Sequence, residues 1–180
     1  DVCSSDLVSG EPWLWHLVTV TVQVALVSTG VALVLGLPWA LLLGLGRFRG
    51  RGVLMVLANA GLGLPPVLVG LVLALLMFPG APLGHLHLLF TLKGVLVAQT
   101  VLALPVIVAL GAAALREVPP GLLDQARGLH ASRTRVAFLA MREARTGLLA
   151  AIIAAVGSGL SEVGAVGLVG GNIEIGRAHV

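Results

Sequence analysis

The sequence predicts an all-α membrane protein, and three observations predict it: long runs without charge, arginines gathered in some of the intervening segments and not others, and prolines and glycines set inside the runs. Hydrophobic residues fill 58% of the 180 positions and charged residues 11%, and the mean hydropathy of +1.06 lies far above the balance of a soluble domain. The formal charge of +3 and pI near 10.5 do not amount to a nucleic-acid footprint, because the basic residues are few and interleaved with apolar spans.

Four runs can cross a bilayer core, which takes roughly 20 helical residues. Residues 15–45 contain no Lys, Arg, Asp or Glu. At about 1.5 Å per residue they exceed the hydrocarbon thickness, so a tilt or a kink at Pro38 is expected. Residues 53–78 form the second run, interrupted by Gly61-Leu62-Gly63-Leu64-Pro65-Pro66. The two prolines there remove two backbone donors and should break the helix inside the membrane. Residues 94–115 form the third run, with Pro105 in mid-span, and residues 147–171 the fourth, which alone holds an acid, Glu162. Broken backbone at membrane depth survives only where protein or a water-filled cavity satisfies the freed groups, so the helices should pack as a bundle. Gly157, Ser158, Gly159, Gly164 and Ala165 permit close helix approach in the fourth run.

Orientation follows from the arginines. Arg47, Arg49 and Arg51 follow the first run, and Arg116, Arg127, Arg133, Arg135, Arg142 and Arg145 lie in or flank the segment after the third, whereas residues 79–93 carry one lysine, Lys93. The positive-inside rule makes the arginine side cytoplasmic. The expected path begins outside, crosses four times and ends outside, with Trp13 and Trp15 in the outer interfacial belt.

The two ends are expected to be foreign to the fold. One coding of Asp1 to Asp6, GACGTGTGCTCTTCCGAT, has the reverse complement ATCGGAAGAGCACACGTC, which translates as Ile175 to Val180. Both termini therefore resemble one sequencing adapter read in its two orientations. On this reading residues 8–173 are the native domain, 1–7 and 174–180 are adapter translation, and the chain is an internal piece of a longer one. Cys3, the single cysteine, then supports no disulfide, thiol or metal chemistry. Within residues 8–173, ten basic residues stand against five acids, a net charge of +5.

The segment between the third and fourth runs is too long and too patterned for a simple turn. Pro119-Pro120 can end one helix and open another. Leu122, Leu123, Ala126 and Leu129 recur at helical spacing, with Asp124 and Arg127 on other faces. Ser132 can cap a second helix, in which Val136, Leu139, Ala140, Glu143 and Ala144 continue the pattern. Two short surface helices joined at His130-Ala131 are expected. They could be a solvated connector touching anionic headgroups or a docking element seated in a partner's groove. A DNA-reading helix-turn-helix is disfavoured because both ends run straight into membrane spans.

Asp124-Gln125-Ala126-Arg127-Gly128-Leu129-His130-Ala131-Ser132 resembles the EAA loop of binding-protein-dependent ABC importer permeases, whose pattern is Glu-Ala-Ala, three residues, then Gly. The departures are Asp124 and Gln125 at the first two letters, His130 at the glycine, and Arg142-Glu143 where the family has Leu-Pro. Histidine is among the non-glycine residues that more readily adopt positive φ. Gly63 to Val67, Gln99 to Pro105, Arg142 to Arg145, Ser161 to Val166 and Gly170 to Ile173 are similar to the tungstate-type permease, with molybdate permeases close behind.

The resemblance implies the type I ABC importer permease fold: four transmembrane helices in this chain, a cytoplasmic coupling loop and one further span beyond it. It also implies a multi-pass subunit of the bacterial inner membrane, a homodimeric pore in membrane lipid, an extracytoplasmic solute-binding protein, and a cytoplasmic ATPase that carries ATP and Mg. The cargo would be a small oxyanion, tungstate first and molybdate next. The coupling residues would be Leu122, Asp124, Gln125, Ala126, Arg127, Leu129 and His130, and the path or gate would involve Pro65, Pro66, Glu162, Gly164 and Asn172. A secondary transporter or channel without an ATPase is the alternative.

The residues themselves add further expectations. Glu162 would cost about 2.5 to 3.5 kcal/mol facing the membrane centre unpaired, so it should face the bundle, in helix-end hydrogen bonding or gating. Asn172 could offer neutral donors at the outer mouth or simply end a helix. His85 and His87 read as exposed loop histidines and not as metal ligands. No catalytic constellation and no phosphate-cradling G-x-x-x-x-G-K-[ST] motif is present, so the chain is expected to bind no cofactor and to be no enzyme.

Overall fold

A computed structural model describes residues 12–161, with side chains for Trp15 and from Val18 onward. Helix α1 runs Pro12–Leu45, α2 Arg51–Leu62, α3 Pro66–Met77, α4 Leu92–Arg116, α5 Pro120–Gly128, α6 Arg133–Glu143 and α7 Arg145–Ser161, with a 3-10 turn at Gly84–Leu86. No strand occurs among the described residues.

Helix α1 continues through Pro38, whose ring lies on the exposed side. Its buried stripe is made of small residues: Ala25, Ser28, Ala32, Gly36, Ala40 and Gly44. Spacings of three and four put them on one face, and that face meets α4. A Cβ on Gly36 would lie 3.2 Å from Ile107, one on Gly111 3.1 Å from Ala40, and one on Gly44 2.7 Å from Leu115, while Ser28 hydrogen-bonds Gln99. Each of these pairs is 71 residues apart, so both helices advance together. Helices α1 and α4 are therefore parallel.

Parallel packing requires the chain to return between them, and α2 and α3 provide the return. Leu54, Met55 and Ala58 pack beside Leu43, Val108 and Ala112. A Cβ on Gly61 would lie 2.7 Å from the Pro105 Cβ. Beyond the break, Leu73, Ala74 and Met77 pack beside Ala98. The pair thus descends α4 from the level of Ala112 to that of Ala98, roughly 20 Å at about 1.5 Å per residue. It bends by 100° on the way. The bend falls at Pro65-Pro66, as the missing donors require.

Helix α7 runs antiparallel to α4. A Cβ on Gly147 would lie 2.5 Å from Ala114, Ala155 packs with Ala103 and Ile107, and the Gly159 carbonyl reaches Gln99. Two helices, Val18–Leu45 and Leu92–Arg116, are each long and apolar enough to cross a membrane, and the count is up to four if each bent pair is one span. The α6–α7 pair is bent by 73°. Its first member is the amphipathic helix expected at the surface. The apolar run from 147 continues past Ser161, outside the described residues, as do both terminal segments read as adapter translation.

Candidate functional site

The best-defined site is the hairpin of α5 and α6 on the arginine end of the bundle. Helix α4 ends at Arg116, Val118 is buried, and Pro119, with φ −56 and ψ 124, hands over to Pro120 at the first position of α5. Proline is suited there because that N–H has no helical partner. Leu123 is buried, and Leu122 and Ala126 pack beside it against a cluster of Ala40, Leu115, Val136, Ala140 and Ala144. Asp124, Gln125 and Arg127 are exposed. Asp124 and Arg127 form an ion pair at 2.7 Å.

Leu129 departs from the sequence pattern. Its spacing puts it on the same face as Leu122 and Ala126, yet it is 83% exposed. Helix α5 ends at Gly128 and the backbone reverses at His130, whose φ is 57. The His130 N–H donates to the Arg127 carbonyl at 2.9 Å and the Ala131 N–H to the Ala126 carbonyl at 3.1 Å. These two bonds form a Schellman motif, with Ala126 and Ala131 in contact with the same apolar cluster. Reversal carries Leu129 outward and leaves a histidine in the left-handed region that glycine would occupy without steric penalty. Ser132 caps α6 by accepting the Arg135 N–H at 3.4 Å. Val136 and Ala140 face inward, and Phe138 faces out.

Of the residues expected to form the path or gate, the structure places two. Pro65 is exposed and Pro66 half-buried, on the outer surface of the bundle at the depth of Pro105. The Pro65 carbonyl accepts from the Leu68 and Val69 N–H groups, which starts α3. Asn59, one turn before the break, is also exposed, and its amide donates to the Met55 carbonyl at 2.9 Å. A polar side chain and irregular backbone on one apolar surface suit a face covered by protein or water and not one bathed in lipid. Glu162, Gly164 and Asn172 lie outside the described residues.

Two features escaped the sequence reading. Gln99, only 5% exposed, donates from Nε2 to the Gly159 carbonyl at 3.3 Å, and its Oε1 accepts from the Ser28 hydroxyl at 3.1 Å. A carbonyl can only accept, so Gly159 fixes the amide orientation and obliges Ser28 to donate. One side chain thereby ties α1, α4 and α7. The signal was a lone amide in an apolar run. Arg51 donates from Nε to the Leu43 carbonyl at 2.8 Å and from a terminal nitrogen to the Gly44 carbonyl at 3.1 Å. It satisfies acceptors that the end of α1 leaves open. The sequence had shown it only as one of three topology arginines. His85 and His87 are exposed at the 3-10 turn.

An apolar bundle of parallel and antiparallel helices, carrying an ordered amphipathic hairpin at its arginine-rich end, is a polytopic membrane protein that offers a shaped surface beside the bilayer. Residues 36–178 match the family described as binding-protein-dependent transport system inner membrane component, and the chain belongs to that family. A probable anion ABC transporter permease of Haloferax volcanii is 43% identical over 91% of this chain and 72% of its own length. A tungstate uptake permease of Peptoclostridium acidaminophilum is 29% identical over 93% of this chain and 74% of its own. A probable molybdenum ABC transporter permease of Haloferax volcanii is 36% identical over 82% of this chain and 56% of its own. Sulfate transport permeases are similar as well.

Proposed function

We propose that this chain is the membrane-spanning subunit of an ATP-driven importer in the bacterial inner membrane, and that it passes a small oxyanion, tungstate first and molybdate next. The α5–α6 hairpin carries the reading. Asp124, Gln125 and Leu129 face outward while Leu122, Leu123 and Ala126 anchor the hairpin to the bundle, so a push on the outer face is transmitted to α1, α4 and α7. A docked ATPase, which carries ATP and Mg, would supply that push. Family membership favours this over a secondary transporter or channel, neither of which has a use for a shaped docking element here.

In the same reading the chain crosses four times, with α2 and α3 as one broken crossing, and the parallel register of α1 and α4 supports that. The exposed Pro65-Pro66 break and Asn59 turn toward a second copy and the path between the two. An extracytoplasmic binding protein delivers the cargo. The similarity to sulfate permeases leaves the choice of anion to experiment: proteoliposomes carrying the permease, its ATPase and its binding protein should take up tungstate only with ATP, with molybdate competing better than sulfate. Uptake without ATP, or sulfate competing as well as molybdate, contradicts the respective half of the proposal.

A further inference from the structure

Between α1, α5 and α6 lies a cleft of about 840 Å³. Pro38, Leu42 and Leu45 line it along α1, and Arg47, Arg127 and Arg133 belong to the same lining. No carboxylate lines it. Asp124 holds Arg127, whereas among the described residues Arg47 and Arg133 have no acidic partner. The wall extends roughly 10 Å along α1, at about 1.5 Å per residue, from the end of the span toward its middle. Apolar and cationic parts are therefore ordered along the direction in which α1 crosses the bilayer.

We propose that this cleft holds one anionic phospholipid of the leaflet at the arginine end, with an acyl chain along Pro38, Leu42 and Leu45 and the phosphate between Arg47 and Arg133. Charge complementarity selects an anionic head, because the fold brings Arg47 of the α1–α2 link and Arg133 of α6 to one cleft, and among the described residues neither has a matching acid. The apolar wall selects a lipid over a free oxyanion, which would use the arginines and leave the leucines wet. Both helical segments of the hairpin and α1 contribute to the cleft, so a bound lipid would fasten the hairpin to the span and offset repulsion among the arginines. The proposal rests on α1 crossing the bilayer.

Native mass spectrometry of the permease in detergent tests this without depending on topology. Phosphatidylglycerol and phosphatidylcholine of equal chain length are offered together. The protein should retain the anionic lipid by on the order of tenfold over the zwitterionic one, as expected when two arginines meet its charge. Arg47→Gln with Arg133→Gln should abolish that preference, and Arg49→Gln with Arg142→Gln, at the same end but outside the cleft, should keep it. Equal retention of the two lipids overturns the proposal, and so does equal loss in both double variants. Displacement of the lipid by millimolar inorganic phosphate assigns the arginines to a free oxyanion and likewise overturns it. Because the readout is in detergent, a wrong membrane topology would leave the lipid preference intact and show only in labelling of cells.

Discussion

The Gln99 side chain lies 3.3 Å from the Gly159 carbonyl and joins α4 to α7 in the interior, while its other end joins α1 through Ser28. Gln99→Leu removes the donor and leaves the Gly159 carbonyl without it, although Ser28 can still donate to the Ala25 carbonyl. A loss of about 0.6 to 1.7 kcal/mol is expected, the range for interhelical hydrogen bonds in membranes. Gln99→Glu should be worse at neutral pH, since a carboxylate accepts only and would face a carbonyl. Unfolding midpoints in detergent check both. Unchanged stability in each would show that the tie is unimportant.

Close packing at glycine gives a sharper contrast. Gly147→Ala would bring a Cβ to 2.5 Å from that of Ala114, whereas Gly30, also helical, has nothing within 4 Å of a Cβ. Gly147→Ala should destabilise by about 1 to 3 kcal/mol, and Gly30→Ala should be neutral or gain up to about 1 kcal/mol through helix propensity. The same unfolding assay ranks them. The reverse order would contradict the antiparallel docking of α7 on α4.

Arg51 bonds two carbonyls at the end of α1, so Arg51→Ala should cost about 1 to 2 kcal/mol. Arg51→Lys should recover part of it, because an ammonium cannot match the fork of a guanidinium. Amide exchange at Leu43 to Gly46, where the last turn of α1 is hydrogen-bonded, should accelerate in the alanine variant. Protection equal to that of the parent chain would deny the capping role.

The fold places Arg49 and Arg133 at one end of the bundle and Leu86 at the other. Single cysteines at 49 and 133 should resist an impermeant reagent in intact cells, and one at 86 should react. Labelling from outside at both 49 and 133 would refute the topology proposed above.

Much of this arrangement was legible. Pro65-Pro66 announces the break because missing donors act locally, and Pro119-Pro120 and Ser132 mark helix starts for equally local reasons. Positive φ at His130 followed from the glycine it replaces in the resembling motif. The outward turn of Leu129 was not legible, because helical spacing ignores where the helix stops. Nor was the register of α1 against α4, which depends on small residues of α1 meeting α4 residues 71 positions further on, although four successive crossings already implied that the two helices run the same way. Periodicity says that Gly36 and Ala40 share a face; it does not say which helix they meet. The assignment of Gln99 and Arg51 failed for the same reason, since their partners are carbonyls on other segments.

Coupling through the hairpin is the central claim, and its outward residues are the place to test it. Asp124→Lys with Leu129→Glu alters two exposed side chains and leaves Leu122, Leu123 and Ala126 in their packing. Hydrolysis of ATP by the assembled transporter, stimulated by the loaded binding protein, is the measurement. The double variant should lose at least about tenfold in stimulated hydrolysis, equivalent to about 1.4 kcal/mol of docking or coupling energy, while His130→Gly retains it. Full stimulation in the double variant at equal membrane abundance would contradict the account and reduce the hairpin to a solvated connector.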